Sequence, residues 1–582
     1  MCVDQRLTVL KFGGSVLQSP DDLEHATREV YRWRRNGYQV VAVVSAVGDT
    51  TDQLCRQAGR FGEVNDEQKT ALLLATGELQ SAALLGLALD RAGVSCVTGD
   101  DVGVGLVTAG PPLDARPVDL DTRRLQQQLD QYGVVVIPGF IGRDRSSGQV
   151  CLLGRGGSDL TALFVASRMS ADACRLIKDV SGLFEFDPKS GGPQPRRFAE
   201  IRHADALQLD ESIVQHKGIR FARDHHLQFE VGSLYASSAT RVGNFPTSRF
   251  AGRPGVLPRL RISLIGLGTV GWGVYQTLRD ALSERFEVVR VAVRDRDKAL
   301  AAGADPDRLT TDVCSAIDAP VDVVVELAGG QELPGQWIDR ALKQGKHVVT
   351  ANKAVLARAG GRLQALADWH GVSLCGSAAV GGAAEMLESV DNALATGHRI
   401  TSLTGVLNGS TNHILDRVRQ GMGLAEALDQ ACEAGYTEAD PARDLEGIDA
   451  AEKLVLIVRR CGYELAVEDV ERQALTVASV ADQVSGRRFR QVARWTVQSG
   501  RSTARVGIES VDEGSLLAAT RGAGNVLQLT TDRGDVRVVR GLGAGRWPTT
   551  QSVVADLIDL ELQRRQQSTE TTNRDRAVSA SA

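Results

Sequence analysis

Three glycines near the middle of the chain have the spacing of a turn that binds a dinucleotide. Gly266, Gly268 and Gly271 form a G-x-G-x-x-G pattern between a short apolar run, 262–265, and an apolar helix pattern. In such a turn the first glycine permits a tight bend, the second lets backbone approach a pyrophosphate, and the third lets the helix pack on the strand. The phosphates lie at the helix N-terminus. Because a strand pattern precedes the glycines and a helix pattern follows, we interpret them as a dinucleotide site rather than a simple glycine-rich turn.

A second group of reactive side chains lies in the acidic segment 435–453. Asp449 and Lys453 are four residues apart and share one helix face. An exposed ion pair of this kind contributes little, but the acidic and polar groups upstream favour a site. Reduction of a carbonyl by hydride needs a proton donor, and an amino-acid substrate needs carboxylates around its ammonium group. The chain has only 10 Lys beside 57 Arg. Since arginine cannot act as a deprotonatable amine, each lysine is a stronger candidate than usual.

Two more glycine-rich turns follow strands in the first third of the chain. Lys11-Phe-Gly-Gly-Ser15 ends the apolar run 7–10, and Gly154-Arg-Gly-Gly-Ser-Asp159 ends the run 151–153. Backbone N–H groups at such turns bind anions, and Lys11 and Arg155 add positive charge. Transfer of a γ-phosphoryl group needs mainly positioning and charge neutralisation. The two turns could therefore hold a phosphoryl donor and its acceptor from opposite sides, although neither is a Walker A loop.

Composition narrows the class of protein. With 582 residues the chain is too long for one core. The net charge of −5, with 72 acidic residues offsetting the arginines, disfavours nucleic acid and anionic membranes as partners. The nine cysteines include no C-x-x-C pair, so neither zinc nor a disulfide framework is indicated. No signal peptide and no apolar run near the roughly 20 residues of a membrane span is evident. We expect a cytoplasmic protein.

The elements that position these residues alternate between strand and helix, which predicts mostly parallel sheets covered on both faces. After the glycine turn at 266, the run 287–293 is the expected second strand and ends at Arg294-Asp295. An acidic residue there holds a ribose 2′-hydroxyl, whereas an arginine accepts a 2′-phosphate, so the choice stays open with a preference for NADP. The runs 321–327 and 348–353 are further strands, and the latter places Lys353 at a carboxyl end, where ligands bind.

The front of the chain resembles the aspartokinase branch of the amino-acid kinase family. The matching segments, in family order over about 11–188, are KFGGSV, VVSAVGDTTDQL, TGELQSAALL, VVVIPGFIG, LLGRGGSDLTA and KDVSGLFEFDP. The resemblance implies phosphorylation of L-aspartate by ATP with Mg. It also implies residue roles: Lys11 at the transferring phosphate with Gly13, Gly14 and Ser15 beside it, Asp179 near the nucleotide, Thr50, Glu78 and Arg155 at the substrate, and Asp159 to orient the reactive groups.

This front segment also departs from the aspartokinase pattern. It is one residue short of the usual KFGG-Thr-Ser-Val, and Leu79 stands where an arginine commonly follows the glutamate. The family's Lys-Val-Leu-His-Pro reads Ile213-Val-Gln-His-Lys217, so Lys217 could substitute from a shifted position. The linker region also has no room for the small regulatory ACT domains that aspartokinases usually carry. These departures leave open the alternative that the front segment is a weak or inactive kinase, serving as a binding or regulatory module.

The remainder, 262 to about 560, resembles homoserine dehydrogenase through GLGTVG, VVELAGG, VVTANKAVLA, GVLNGSTNHIL, AGYTEADPARDLEGIDAAEKL and GLGAGRWPTTQSVVADL. The resemblance implies reduction of aspartate 4-semialdehyde to L-homoserine with NADP or NAD. It makes Lys453 and Lys353 the catalytic lysines, with Lys453 the favoured proton donor. The other implied residues bind substrate or cofactor: Glu438, Asp444 and Asp449 at the substrate, and Gly266, Gly268, Thr269, Val270, Gly271, Arg294, Asn352 and Lys353 at the cofactor.

One departure in this half concerns a monovalent cation. The family's Glu-Ala-x-Val-Gly-Gly-Gly reads Ser377-Ala-Ala-Val380-Gly-Gly-Ala here, which removes the side-chain carboxylate. Backbone carbonyls near Val380 could still serve such an ion.

We therefore predict an α/β chain: an amino-acid-kinase-like three-layer sheet domain, then a Rossmann NAD(P)-binding domain with an inserted α+β substrate and dimerisation domain. Its partners are small-molecule substrates and, we expect, other copies of the chain in a dimer or tetramer. The predicted boundaries are 1–245 for the kinase-like domain, 246–260 for a linker, 261–395 for the Rossmann domain, 396–545 for the substrate domain, 546–562 for a helix returning to the Rossmann domain, and 563–582 for a disordered tail.

Overall fold

The computed structural model describes residues 6–61, 66–99, 105–186, 195–211, 213–236, 238–250, 258–433, 441–480, 488–498 and 500–580. The chain divides into two compact units. One consists mainly of 5–90 and 95–256, and the other mainly of 257–561. The division lies inside the predicted linker 246–260.

The described part of the N-terminal unit contains strands β1–β13 and helices α1–α7. The strands are β1 Arg6–Phe12, β2 Tyr38–Val44, β3 Val97–Thr98, β4 Leu106–Ala109, β5 Arg116–Leu120, β6 Val134–Pro138, β7 Ile141–Asp144, β8 Val150–Leu152, β9 Ala173–Ile177, β10 Phe198–Arg202, β11 Phe229–Gly232, β12 Thr240–Gly243 and β13 Ser248–Arg249. The helices are α1 Leu23–Arg35, α2 Thr50–Gly59, α3 Glu67–Ala92, α4 Thr122–Tyr132, α5 Gly157–Arg168, α6 His203–Ala206 and α7 His216–Asp224.

Nine of these strands form one sheet in the order β13-β10-β12-β11-β9-β1-β2-β6-β3. Its central strands, from β11 through β9, β1, β2 and β6 to β3, run parallel. Their sequences are continuous apolar runs because both faces of the sheet are covered. The last six residues of β1 and of β2 are all buried. A second sheet has the order β5-β4-β7-β8. The Lys11 and Gly154 turns therefore follow strands of two different sheets.

Two features of this unit differ from the sequence prediction. First, the predicted linker 246–260 includes residues of the central sheet, because β13 pairs with β10 across a bulge. Second, helix α3 is apolar and long enough to cross a membrane by length and composition, the one such helix in the described part of the chain. Half of its most apolar window is buried inside the protein, as is common for the core helix of a folded domain.

The described part of the second unit contains strands β14–β25 and helices α8–α20. The strands are β14 Leu260–Ile265, β15 Phe286–Ala292, β16 Leu309–Thr310, β17 Val323–Glu326, β18 His347–Thr350, β19 Leu374–Cys375, β20 Ile400–Val406, β21 Glu471–Arg472, β22 Arg488–Gln498, β23 Arg501–Val511, β24 Gly524–Thr531 and β25 Val536–Leu542. The helices are α8 Thr269–Gln276, α9 Arg296–Ala301, α10 Val313–Asp318, α11 Glu332–Lys343, α12 Lys353–Trp369, α13 Met386–Leu394, α14 Gly409–Arg419, α15 Leu424–Glu433, α16 Ala442–Leu445, α17 Ile448–Arg460, α18 Val477–Val480, α19 Leu516–Ala519 and α20 Arg546–Ala580.

The first sheet of this unit is fully parallel, with the order β16-β15-β14-β17-β18-β19. The strand order reverses between β14 and β17, which is the point where open α/β sheets bind nucleotides. The glycine turn follows β14 directly. The geometry therefore places the G-x-G-x-x-G pattern at the crevice where a dinucleotide belongs.

The second sheet has the order β21-β23-β22-β20-β24-β25 and is antiparallel except for the β21–β23 pair. Helix α17 buries its apolar face in the same core as this sheet, through residues such as Leu454 and Val458 against Trp495. Beneath the glycine turn, α20 approaches α8: Thr550 lies against Gly273, and Arg546 donates to the Gln276 side chain at 2.9 Å. The helix then continues to Ala580, whereas the sequence prediction was a disordered tail from 563. No Gly or Pro interrupts the polar segment 563–580.

Candidate functional site

A cavity of about 650 Å³ opens in the N-terminal unit at the carboxyl end of β1. Lys11 of β1, Asp159 in the first turn of α5, and Lys178 directly after β9 all line it. The Lys11 Nζ lies 2.7 Å from Asp159 Oδ1, and the Lys178 Nζ lies 2.8 Å from Asp159 Oδ2. One buried carboxylate therefore holds two ammonium groups at the floor of the cavity.

The charged groups in this cluster shift the pKa values of one another. Burial opposes ionisation of Asp159, but the ammonium groups of Lys11 and Lys178 outweigh that effect and lower the pKa of Asp159 to about 2. Burial lowers the pKa of Lys11 to about 8, although Asp159 acts in the opposite direction. The aspartate is therefore ionised near neutral pH and keeps both lysine side chains in place.

Glu78 of α3 lines the same cavity with an incompletely satisfied carboxyl group. Its Oε1 accepts a hydrogen bond from the Ala46 N–H at 3.2 Å, whereas its Oε2 is buried without a partner among the described residues. Burial raises the pKa of Glu78 to about 7, against the opposing effect of that N–H. A buried carboxyl oxygen without a partner is costly, and the ammonium group of an amino acid would satisfy it.

The other residues predicted for this unit divide into two groups. Gly14 and Arg155 line the cavity, and a side chain at Gly13 would meet the Lys11 ammonium group at 2.9 Å. Ser15 and Asp179 are exposed and lie outside the lining, as does Thr50, whose hydroxyl donates to the Val47 carbonyl at 2.6 Å while the neighbouring Thr51 lines the cavity instead.

Lys217, which the sequence suggested as a shifted substitute, does not line the cavity. Its ammonium group donates to Asp114 at 2.6 Å and to the Leu153 carbonyl at 2.7 Å. Because α7 begins at His216, Lys217 lies in its first turn and reaches the loop after β8 instead. Gln215, just before that helix, is the residue of this segment that lines the cavity together with Ile213.

In the second unit the glycine turn has the geometry that its spacing predicted. Gly266 has φ +95°, and a Cβ there would meet the backbone of Ala328 at 2.8 Å. A Cβ at Gly271 would lie 2.1 Å from the Gly266 carbonyl oxygen, so helix and strand are in close contact. A Cβ at Gly268 would meet nothing within 4 Å, because this position faces open space. Thr269 and Val270 begin α8, so its free N–H groups face the same space. This cradle fits a pyrophosphate.

The residues after β15 bear on the choice of nicotinamide cofactor. Asp295 is the N-cap of α9, and its carboxylate accepts a hydrogen bond from the Lys298 N–H at 2.9 Å. Arg294 is exposed and makes no hydrogen bond or ion pair within the described residues. Asp295 is thus engaged by its own helix, whereas the guanidinium of Arg294 is available to an incoming anion.

The two lysines of the second unit also meet on one aspartate. Asp449 Oδ2 lies 2.8 Å from the Lys453 Nζ, and Asp449 Oδ1 lies 3.0 Å from the Lys353 Nζ. Burial alone would raise the pKa of Asp449, but the two ammonium groups outweigh burial and hold its pKa well below the usual range. The charge of Asp449 also raises the pKa of Lys353. Lys453 donates a second hydrogen bond, to the Leu407 carbonyl at 2.8 Å, and is 5% exposed.

Asn408 connects this cluster to a second carboxyl group. Its Nδ2 donates to Asp449 Oδ2 at 2.9 Å and to Asp444 Oδ1 at 2.6 Å. Its Oδ1 is fixed by the Thr411 N–H at 2.8 Å, at the start of α14. Burial raises the pKa of the half-buried Asp444, and the negative charge of Asp449 adds to the shift. The site therefore contains two ammonium groups and two carboxyl groups. The buried Asn408 amide connects the two carboxyl groups.

Lys353 occupies a different local position from the one expected. Strand β18 ends at Thr350, Asn352 caps α12, and Lys353 is the first residue of that helix. The Asn352 Oδ1 accepts from the Val355 N–H at 3.2 Å, which ends the strand and starts the helix. The amide Nδ2 donates to the Gly330 carbonyl at 2.8 Å, so Asn352 also joins the loops after β17 and β18. Lys353 still lies at the carboxyl edge of the sheet.

For two other predicted residues, Val380 and Glu438, the described part of the structure shows no arrangement that bears on their predicted role. Val380 is buried after a short 3₁₀ turn, Ser377–Ala379, and its role in binding a cation stays a prediction. Glu438 lies outside the described residues. Within the ranges that are described, no group of three or more His, Cys, Asp or Glu side chains could hold a metal ion.

Comparisons with known proteins assign both units. Residues 6–222 match the model of the amino acid kinase family. Residues 266–375 match the homoserine dehydrogenase NAD binding domain, and residues 386–558 match homoserine dehydrogenase. A homoserine dehydrogenase of Synechocystis sp. is 35% identical over 317 residues, covering 52% of this chain and 73% of that protein. The chain belongs to the homoserine dehydrogenase family.

The homoserine dehydrogenase part does not account for the whole chain. An aspartokinase of Geobacillus stearothermophilus is 33% identical over 230 residues, covering 39% of this chain and 56% of that protein. A solved homoserine dehydrogenase from Thiobacillus denitrificans is 36% identical, covers 53% of this chain and 74% of that one, and has a TM-score of 0.49. The predicted fold class and the predicted combination are confirmed: an aspartokinase-type amino acid kinase unit is joined to a homoserine dehydrogenase.

Two residues of these sites have no role that the sequence pattern predicts. Lys178 lies in the matching segment KDVSGLFEFDP, and Asn408 lies in GVLNGSTNHIL. The scarcity of lysine was a usable signal for Lys178, whereas the link between Asn408 and two carboxyl groups depends on how β20 and α14 pack against α17.

Proposed function

We propose that the homoserine dehydrogenase unit interconverts aspartate 4-semialdehyde and L-homoserine. The nicotinamide cofactor would supply or accept the hydride, and the turn around Gly268 with the N-terminus of α8 would hold its pyrophosphate. Lys453 would give a proton to the aldehyde oxygen during reduction and remove it during oxidation. Asp449 would fix Lys453 and Lys353, and Asp444 would bind the substrate ammonium group.

The kinase unit, in the same proposal, phosphorylates the side-chain carboxylate of L-aspartate with MgATP. Lys11 would neutralise the transferring phosphate, held in place by Asp159. Glu78 would accept the substrate ammonium group on its unpartnered oxygen, and Arg155 would pair with a substrate carboxylate. The magnesium ion would enter with the nucleotide.

One observation carries both assignments. In each unit a buried aspartate holds two lysine ammonium groups at the carboxyl edge of a parallel sheet. A unit that only bound a regulatory ligand would not need two buried ammonium groups on one carboxylate. For the kinase unit this favours turnover over the alternative of an inactive binding module, despite Leu79 and the altered segment at 213–217.

The finer properties belong to the same proposal. NADP is preferred because Arg294 is available and Asp295 caps a helix. A monovalent cation at the Val380 carbonyl, a homodimer or homotetramer and a cytoplasmic location follow from the family resemblance and the composition.

The test uses the purified full-length chain in two assays. Aspartyl phosphate is trapped as its hydroxamate from L-aspartate and MgATP, and oxidation of L-homoserine is followed by reduced cofactor absorbance. We expect both activities, with Lys11→Ala removing only the first. Homoserine oxidation without any hydroxamate would leave the inactive-module alternative standing.

A further inference from the structure

Lys178 lies where the sheet brings it beside Lys11. The two strands β1 and β9 are parallel neighbours, and Lys11 pairs in register with Leu176. Lys178 is two residues beyond Leu176, and side chains two residues apart along an extended chain point to the same side. The two lysines therefore reach one face of the sheet at its carboxyl end, although 167 positions separate them in sequence.

The contacts of Lys178 fix the direction of its side chain and leave part of its ammonium group available to a ligand. Its Nζ donates to both oxygens of Asp159, at 2.8 Å and 3.2 Å, and the residue is 9% exposed while lining the cavity. An ammonium group has three N–H donors, so at least one stays available. Asp159 carries one negative charge against two positive charges. The cluster therefore presents a net positive charge to the cavity.

Lys217, the other lysine near this unit's glycine-rich turns, cannot supply the second cation in the described arrangement. Asp114 and the Leu153 carbonyl engage its ammonium group outside the cavity lining. Arg155 also lines the cavity, at the Gly154 turn, and is exposed to solvent. Lys178 is thus the cation that shares its carboxylate with Lys11.

We propose that Lys178 is a catalytic residue of the kinase unit and binds the phosphoryl group in transit together with Lys11. This inference rests on the proposed kinase function. In the step, an oxygen of the substrate side-chain carboxylate forms a bond to the γ-phosphorus, and the bond from that phosphorus to the β,γ-bridging oxygen breaks. The carboxylate becomes an acyl phosphate and ADP leaves with the bridging oxygen. Lys11 and Lys178 hold the equatorial oxygens, and no proton moves to or from either lysine.

The experiment replaces Lys178 with Gln, which keeps an N–H donor for Asp159 but removes the charge. We expect hydroxamate-trapped turnover to fall by about 10² or more, as on loss of one electrostatic clamp at a transition state. Lys178→Arg, which restores the charge, should recover part of that loss. Lys217→Gln is the matched control and should change turnover only a few-fold. The thermal unfolding and far-UV circular dichroism of each variant, compared with the unaltered chain, report that the kinase unit is folded, and homoserine oxidation reports the same for the second unit.

The outcomes separate this inference from the kinase assignment. If Lys178→Gln keeps turnover within a few-fold of the unaltered chain, or if Lys217→Gln loses as much, Lys178 is not the second cation. If the unaltered chain forms no acyl phosphate, the kinase function fails, and binding of MgATP then decides about Lys178. We expect at least about tenfold weaker binding for Lys178→Gln than for Lys217→Gln, since a buried charge contact is lost; equal binding would refute the inference.

Discussion

Replacing Lys453 with Arg tests whether the homoserine dehydrogenase unit uses this lysine as an acid or only as a fixed charge. The ammonium group has three N–H donors, and Asp449 and the Leu407 carbonyl engage two of them. The third is available to the oxygen of the aldehyde. Lys353 shares Asp449 but is more exposed, with 35% of its side chain accessible against 7% for Lys453. Lys453 is therefore the more buried of the two lysines, and the proposed function assigns the proton transfer to it.

The magnitude follows from the chemistry of the two side chains. Arginine keeps the charge but holds its proton at all accessible pH values, because its pKa lies above about 12. Positioned general acids contribute roughly 10²- to 10⁴-fold. We therefore expect Lys453→Arg to lower turnover by at least about 10², or about 2.7 kcal/mol of transition-state stabilisation. The measurement is the steady-state rate in both directions, with cofactor affinity determined separately by titration and expected to change little.

A matched control is available in the same unit. Lys346 is also buried, and it donates to the carbonyls of Ile317 and Ala319, away from the lysine cluster. Lys346→Arg should lower stability, because the buried site must accommodate a larger group, yet leave turnover within a few-fold. Near-normal turnover of a folded Lys453→Arg variant would show that Lys453 is an electrostatic anchor, and Lys353 would become the leading donor.

Four further outcomes are expected. Lys11→Ala should lower aspartyl phosphate formation by about 10² or more and spare homoserine oxidation, because the phosphate loses an electrostatic clamp; equal loss in both assays would indicate general misfolding. Since the pKa of Glu78 is raised to about 7, its ionised form is lost below that pH, so kcat/KM for aspartate should fall towards tenfold per pH unit in acid, and Glu78→Gln should abolish that limb. Arg294→Ala should weaken NADPH far more than NADH, and an equal effect on both would exclude a 2′-phosphate contact. Threonine or lysine at millimolar concentration should leave kinase turnover unchanged, because no regulatory domain separates the two units; saturable inhibition noncompetitive with aspartate would contradict this.

Much of the fold was predictable because its signals are local. The strand before Gly266 and the helix after it depend on neighbouring residues only, and both are found within a residue or two of the predicted positions. The same holds for the strand that carries Lys11. Segment ends were less predictable: β13 extends the kinase sheet into the expected linker because an edge strand needs only two paired residues, a pairing with no periodic signature.

Site residues were predictable where motif and charge coincide and not where long-range packing decides. Asp449 and Lys453 are one helical turn apart, so their contact could be anticipated. The partnership of Lys178 with Asp159 depends on the register between β1 and β9, which no local pattern encodes. The position of Lys217 depends in the same way on where α7 begins, and the structure places it against Asp114, outside the cavity lining.

The two units have different sheets and different chemistry, yet they place lysines by the same electrostatic device. A lone buried ammonium group would tend to lose its proton, and a lone buried carboxylate would tend to gain one, since burial penalises charge. One aspartate between two lysines offsets part of that penalty: the ammonium groups lower the pKa of Asp159 and of Asp449, and Asp449 in turn raises the pKa of Lys353. Within each set of one aspartate and two lysines, one positive charge is not compensated. In the proposed reactions that charge would face the phosphoryl group in the kinase unit, and the oxygen on which negative charge develops in the homoserine dehydrogenase unit. Arginine, the abundant cation of this chain, is too large and too weakly acidic for the second task, and four of the 10 lysines are found in these two clusters.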